Sequence, residues 1–196
     1  MKARCGWGEG SPLMREYHDT EWGFPVADDE RLFEKVCLEG FQSGLSWKTV
    51  LDKRDDFRRV FHGFDPEQVA RMGPRDVTRL LGDATIIRHR GKIESTIANA
   101  RRCLDLIAEK GSLGRYVWDF EPPRRRRAPS ARAVSTLVTS PESVALSKDL
   151  KKRGWTFVGP TTMYAFMQSM GLVNDHHGGC FAWEPAEAAR EEFRIR

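Results

Sequence analysis

The chain has no apolar run approaching the length of a membrane span, which takes about 20 consecutive residues. Nor does an apolar leader follow its first residues, Met1-Lys2-Ala3-Arg4-Cys5. A cytoplasmic protein with no membrane partner is therefore expected. No stretch alternates apolar and polar residues as a half-buried strand would, and no segment repeats another. An all-α fold is the expectation that remains. Cysteine is sparse: Cys5, Cys37, Cys103 and Cys180 are the 4 in the chain. In an oxidising compartment they could pair as disulfides; in a reducing one, metal ligation or plain burial is the expected use.

What is present is the composition of a folded protein, 40% hydrophobic and 31% charged, which excludes a disordered chain. Its 196 residues suit a single domain over 1–196 with a core of its own. A net charge of +4 and a pI of about 9.0 permit a polyanionic partner without requiring one.

The chain is organised around Cys37-Leu38-Glu39-Gly40-Phe41-Gln42-Ser43-Gly44-Leu45-Ser46-Trp47. Leu32, Phe33, Val36 and Cys37 recur at helical spacing, with Asp28 or Asp29 as N-cap. Glu39 comes near the end of this run, where a carboxylate is either a solvated surface charge or a buried functional group. Gly40 and Gly44 are expected to break the helix and bracket a loop before Ser46 caps a second helix. A carboxylate, an amide, a permissive loop and an indole this close together suit a flat ligand with polar edges.

Residues 1–30 show little helical pattern, and so loose a segment holds a shape only when packed or stapled. Cys5 and His18 are candidate staples. Far along the chain, Asn174-Asp175-His176-His177-Gly178-Gly179-Cys180 offers His176 and Cys180 at i and i+4. Together these form a Cys2His2 set suited to tetrahedral Zn2+, and four protein ligands leave no open position, so such a site is structural. The spacing matches no ordinary zinc finger, and His177 competes with His176 as the ligand.

Between these ends the pattern is helical. Pro66, Pro74 and Pro141 mark helix starts, and the longest stripe runs through Ile93, Ile97, Ala100, Leu104 and Ile107 to Gly111. Residues 121–140 form a proline-rich basic loop whose Arg124-Arg125-Arg126-Arg127 is either solvated or in contact with phosphates. Residues 181–196 are a tail. Beyond Lys151-Lys152-Arg153-Gly154, Phe157-Val158-Gly159-Pro160 turns into a helix carrying Tyr164, Phe166 and Met167. Helix, glycine turn and helix, with cations before the turn, is how a helix-hairpin-helix module holds a phosphate. An ordinary αα-corner is the alternative.

Several segments carry a family resemblance: Cys5-Gly6-Trp7, Tyr17-His18-Asp19-Thr20-Glu21-Trp22-Gly23, Cys37-Leu38-Glu39-Gly40 and Gly44-Leu45-Ser46-Trp47. So do Ile86-Ile87-Arg88-His89-Arg90-Gly91-Lys92-Ile93, Leu146 to Gly154, and Phe157-Val158-Gly159-Pro160 through Gly171-Leu172-Val173-Asn174-Asp175-His176. From about Arg4 to Cys180 the chain resembles the 3-methyladenine DNA glycosylase I family. The resemblance implies an all-α helix-hairpin-helix DNA glycosylase fold. It also implies one structural Zn2+ per chain, joining the N- and C-terminal segments through Cys5, His18, His176 and Cys180, with His177 a bystander. The implied base pocket consists of Glu39, Tyr17 and Trp47, with Trp7 and Trp22 in its walls. Met14 departs from the family pattern at an aromatic pocket position. The implied activity is hydrolytic excision of 3-methyladenine from alkylated double-stranded DNA, a base-excision-repair step that leaves an abasic site, by a chain expected to be monomeric.

On that reading the damaged base is flipped out of the duplex. Gly44 and Leu45 fill the gap, unless Leu45 instead packs beneath the second helix. Val158, Gly159 and Pro160 hold a phosphate, aided by Lys151, Lys152 and Arg153. Aromatic faces attract the cationic ring. Glu39, the catalytic candidate, accepts from adenine's exocyclic amine and repels the acceptor that guanine carries there. Asp175 is the rival for activating water, orientation of His176 being its other expected role. No lysine stands in the helix after the hairpin, so strand cleavage through a Schiff base is not expected. The His-x-Glu and Cys-x-x-Cys arrangement of a zinc deaminase is absent. The competing class is a noncatalytic, zinc-stapled helix-hairpin-helix DNA-binding module.

Overall fold

A computed structural model describes residues 3–195; Met1, Lys2 and Arg196, the ends of the expected domain, lie outside the described residues. Among the described residues there are α-helices and short 3-10 turns but no strand, in keeping with the all-α expectation. In chain order the helices are α1 (Pro12–Thr20), α2 (Asp29–Gln42), α3 (Trp47–Leu51), α4 (Arg54–Val60), α5 (Pro66–Ala70) and α6 (Pro74–Gly82). They continue with α7 (Arg90–Lys110), α8 (Leu113–Trp118), α9 (Ala131–Thr136), α10 (Pro141–Lys152), α11 (Pro160–Ser169) and α12 (Trp183–Glu192). No described helix is long and apolar enough to cross a membrane.

Local side-chain chemistry sets most of the helix starts. Ser11, Asp28, Ser46, Asp65, Ser112, Ser130 and Ser140 each accept a backbone N–H from the turn they open. Proline stands at the start of α1, α5, α6, α10 and α11, where its missing N–H leaves no bond unmade.

The spine of the fold is α2, buried without interruption from Leu32 to Phe41. It packs against α11, α7, α8 and α3. A helix enclosed on every side carries its charges inward too, so Glu34, Lys35 and Glu39 each require a partner or a purpose. Around it, Phe41, Phe57, Phe61 and Phe64 follow one another with ring centroids 4.4, 6.4 and 5.6 Å apart. Cys37 and Cys103 lie in this core.

Gly40 does not break the helix as expected: α2 continues to Gln42. A Cβ on Gly40 would stand 3.3 Å from Cβ of Phe157, so the glycine permits the turn before α11 to lie against α2. The break comes instead at Gly44, whose φ of 80° falls in the left-handed region that glycine takes without strain.

Two further regions differ from expectation. The basic loop holds a helix of its own, α9, and its Arg125 pairs with the wholly buried Asp175 rather than with solvent. The tail forms α12, whose Arg190 is 3% exposed and donates to Leu172 O at 2.9 Å, Glu121 Oε1 at 3.0 Å and Glu187 Oε1 at 3.0 Å. Both are fixed by partners distant in sequence, which no local pattern reveals.

Candidate active site

Tyr17 and Trp22 reach a common cavity from α1 and the turn after it, Glu39 and Gln42 from the end of α2, Trp47 from the start of α3, and Trp7 from the N-terminal segment. The cavity encloses about 320 Å³, near the lower end of the roughly 300–1,000 Å³ usual for ligand sites. All five residues expected to form the pocket, Trp7, Tyr17, Trp22, Glu39 and Trp47, line it. Met14 lines it as well, filling with a flexible thioether the place where an aromatic was expected. The rings meet at tilted or edge-on angles: Tyr17 and Trp47 centroids are 5.3 Å apart, and Trp7 and Trp22 centroids 5.1 Å.

Glu39 is the only acidic residue lining the cavity, and it is 5% exposed. Among the described residues no group donates a hydrogen bond to its carboxyl. Burial pushes that carboxyl up to about 7, against the opposing attraction of Lys35. The indole N–H of Trp47 is likewise buried without an acceptor. An apolar chamber with one unpartnered carboxyl and one unpartnered donor is built for a flat molecule that brings its own polar edge.

Sequence reasoning missed several contributors. Lys35, one turn before Glu39, donates to Tyr17 Oη at 3.0 Å; a cation inside the apolar stripe of α2 was its signal. Val134 and Ser135 of α9 and Ala165 and Gln168 of α11 complete the wall. For the α9 pair there was no signal, because only the tertiary fold brings them to the pocket.

A second groove, of about 360 Å³, shares Glu39, Gln42 and Ala165 with the cavity and runs past Ser43, Gly44 and Leu45 to Thr161 and Thr162 at the start of α11. Leu45 is 42% exposed and does not pack beneath α3, which removes the core-packing alternative. Lys92 holds this loop by donating to Phe41 O at 2.8 Å and Ser43 O at 2.6 Å. In the turn between α10 and α11, Val158 is buried while Gly159 and Pro160 open α11. Lys151 and Lys152 are exposed, but Arg153 is occupied by Asp149 at 2.7 Å and Glu109 at 2.5 Å, so it does not join them as a free cation. Another cleft, of about 600 Å³ between Trp118, Arg124 and Phe193, presents exposed charges and no buried acid.

Behind the Trp7–Trp22 wall, Cys5, His18, His176 and Cys180 converge, all buried, with every ligating atom within 4.8 Å of the others. Cys180 Sγ lies 3.4 Å from His18 Nε2 and 3.5 Å from His176 Nδ1, and Cys5 Sγ 3.7 Å from His176 Nδ1. Zinc–ligand bonds of about 2.0–2.3 Å place neighbouring tetrahedral ligand atoms roughly 3.3–3.8 Å apart, so this donor set fits the ion. His18 Nδ1 donates to Asp19 Oδ1 at 2.8 Å and His176 Nε2 to Trp22 O at 2.9 Å, which turns the other nitrogen of each ring toward the sulfurs. Burial lowers both imidazoles, His176 to about 4, and so keeps them neutral as ligation requires. His177 points away and accepts from Gly179 N at 3.1 Å.

Asp175 does not orient His176; the Trp22 carbonyl does. The Asp175 carboxylate instead receives Tyr164 Oη at 2.7 Å, Gln168 Nε2 at 2.8 Å and Arg125. It does not line the cavity.

The family model for methyladenine glycosylase matches residues 7–183. The DNA-3-methyladenine glycosylase 1 of Escherichia coli K12 is 51% identical over 179 residues, covering 90% of this chain and 95% of that protein. The DNA-3-methyladenine glycosylase of Haemophilus influenzae is 45% identical over 182 residues, covering 92% and 97%. A crystal structure of 3-methyladenine DNA glycosylase I, 50% identical, superposes with a TM-score of 0.86 and covers 91% of this chain and 98% of its own. A variant of 3-methyladenine DNA glycosylase I in complex with 3-methyladenine, 32% identical, also has a TM-score of 0.86 and covers 92% and 97%. With the family model, the fold and nearly the whole length in agreement, the chain belongs to the methyladenine glycosylase family.

Proposed function

We propose that this chain is a monofunctional DNA glycosylase that flips 3-methyladenine out of alkylated duplex DNA and hydrolyses its glycosidic bond, leaving an abasic site. The observation that carries the reading is Glu39: a buried carboxyl in an aromatic chamber, with no hydrogen-bond donor of the protein's own. An N3-methylated adenine in DNA is cationic. It matches such a chamber in charge, in shape and in the amine it offers to the carboxylate. Cation–π attraction to the walls adds on the order of 1–2 kcal/mol once water is excluded. Guanine carries an acceptor where adenine carries its amine, and two acceptors face to face leave a buried group unpaired.

The bond between base and C1′ breaks with its electron pair passing to the cationic base, which leaves neutral. Water oxygen bonds C1′ and gives up a proton, for which Glu39, the carboxyl that lines the cavity, is the proposed acceptor. Assigning this role to Glu39 rather than Asp175 is supported by the three donors that already occupy Asp175.

Leu45, exposed beside the groove, is the proposed wedge into the base stack, with Gly44 allowing the chain to come close. Val158, Gly159 and Pro160 would seat a phosphate as a helix-hairpin-helix turn does, with Lys151 and Lys152 adding charge. Cys5, His18, His176 and Cys180 would hold one Zn2+, whose chemistry here is structural: it would join the two chain ends behind Trp7 and Trp22.

The test is chromatography of the bases freed from methylated duplex DNA by the wild type and by Glu39→Gln. The wild type should release chiefly 3-methyladenine, and the variant about 10²-fold more slowly. A wild type that binds DNA but frees no base would instead make the chain a noncatalytic DNA-binding module.

A further inference from the structure

Lys35 is 3% exposed, yet it does not line the base cavity. Its ammonium sits behind the aromatic floor, 4.5 Å from the Tyr17 ring centroid and 4.3 Å from that of Trp47, and donates to Tyr17 Oη at 3.0 Å. A lysine ammonium has three donors, so a single hydroxyl acceptor and two π-faces do not by themselves account for a charge so deep in the fold.

The neighbouring carboxylates identify its counterion by elimination. Glu21 is held by Arg54 at 2.7 and 2.9 Å. Glu34 is held by Arg58 at 2.9 Å. Among the described residues Glu39 has no guanidinium partner; Lys35 does not touch it directly, but Glu39 lies four residues after Lys35 on α2, on the same face and one turn away. The other elements packed around Glu39 bring no competing cation. From α1 comes Tyr17; Arg54 of α4 is spent on Glu21; Lys92 of α7 is spent on the Phe41 and Ser43 carbonyls. Thr161, Thr162, Ala165 and Gln168 of α11, and Val134 and Ser135 of α9, are uncharged.

We propose that Lys35 is a positioning residue for base excision: a resident counter-cation that fixes the Tyr17 ring and favours the carboxylate form of Glu39 before any base has entered. The inference rests on the cavity being the base site. Burial alone drives Glu39 toward its neutral form, and the attraction of Lys35 is what opposes this. Burial likewise pulls Lys35 below its ordinary value, while Glu39 raises it. The two charges thus sustain one another. Lys35 thereby lowers the cost of presenting a carboxylate to an arriving cationic base and, behind the rings, leaves the ligand side of the chamber free.

The primary experiment needs no activity. Glu39 is titrated by carbon-detected NMR in the substrate-free wild type, in Lys35→Met and in Lys35→Gln. Lys35→Gln is neutral but can still donate to Tyr17, which separates charge from hydrogen bonding and provides a second route should Lys35→Met fail to fold. The Glu39 midpoint is expected to rise by at least about one pH unit in both neutral variants. In the excision assay the acid limb of kcat/KM should move by the same amount, which is about a tenfold loss at pH 6 that recovers as pH rises. Adding Glu39→Gln should abolish the difference in limb position. A Glu39 midpoint unchanged in folded neutral variants would overturn the proposal and leave Lys35 as core filling. A shifted midpoint in a protein that releases no base from methylated DNA would uphold the counter-cation and overturn the excision reading instead.

Discussion

Arg125 and Asp175 form an ion pair across 50 residues of sequence, joining the strap between α8 and α10 to the residue that precedes His176 of the buried Cys/His cluster. Gly178 N adds a second tie, donating to Pro129 O at 3.0 Å. Directly after these ties the strap carries α9, and α9 places Val134 and Ser135 against the candidate cavity. The pair therefore secures a wall of the pocket as well as a buried charge.

Arg125→Ala leaves Asp175 with Tyr164 and Gln168 but no cation. Removing one partner of a fully buried pair costs about 3–5 kcal/mol, and a partly exposed guanidinium takes the lower end of that range. At roughly 2–4 °C per kcal/mol for a chain of this size, a fall in melting temperature of roughly 6–12 °C is expected. KM should rise more than kcat falls, because the loosened wall contributes to binding. Calorimetry and steady-state kinetics check the two halves separately.

The pH dependence of stability carries the mark of Glu39. Its folded pKa, about 7, stands above the ordinary 4.5, so the folded chain binds the proton more tightly than the unfolded chain does. The stability this group contributes is fully present below 4.5 and is lost as pH rises through about 7. Glu39→Gln has no such loss. The melting temperature of the variant minus that of the wild type should therefore increase from pH 5 to pH 8, by an amount equivalent to about 2–3 kcal/mol. A difference independent of pH would contradict the assignment.

Trp22 links the Cys/His cluster to the pocket, since its carbonyl holds His176 while its ring lines the cavity. Cys180→Ser is expected to reduce zinc from one per chain to a small fraction, measured by atomic absorption. It should lower the melting temperature by roughly 8 °C or more. Residual folded protein should also bind 3-methyladenine more weakly, although no ligand of the metal touches the cavity.

Lys151 and Lys152 stand exposed on the approach to the α10–α11 turn. Replacing both with alanine should reduce the slope of log affinity against log salt by about two while leaving the binding of free 3-methyladenine unchanged. The corresponding Arg153→Ala should act on stability instead, because that guanidinium is bound to Asp149 and Glu109.

Much of this was legible in the sequence. The helix starts were written in Ser46, Asp65 and Ser140 and in the prolines that follow the last two, and these hold. The Cys2His2 set comes together as its residue types implied, and the pocket aromatics line one cavity as the family resemblance implied. What was not legible depends on contacts between distant segments. Gly40 reads locally as a helix breaker, yet it is a packing residue because Phe157 presses on it. Arg125 lies in a run of four arginines, and nothing local distinguishes it from its exposed neighbours until Asp175 is placed beside it. Asp175 itself, next to a metal-site ligand in sequence, faces away from that ligand in space.

The central claim is that the cavity between Glu39, Tyr17 and Trp47 holds the excised base. The most direct measurement is a titration with free 3-methyladenine while the indole N–H resonances are followed by NMR. Those of Trp7, Trp22 and Trp47 should shift and saturate together, while those of Trp118 and Trp155, which do not line the cavity, stay in place. Shifts centred on Trp118, beside the larger cleft, or none at saturating ligand, would contradict the assignment of this cavity as the base site.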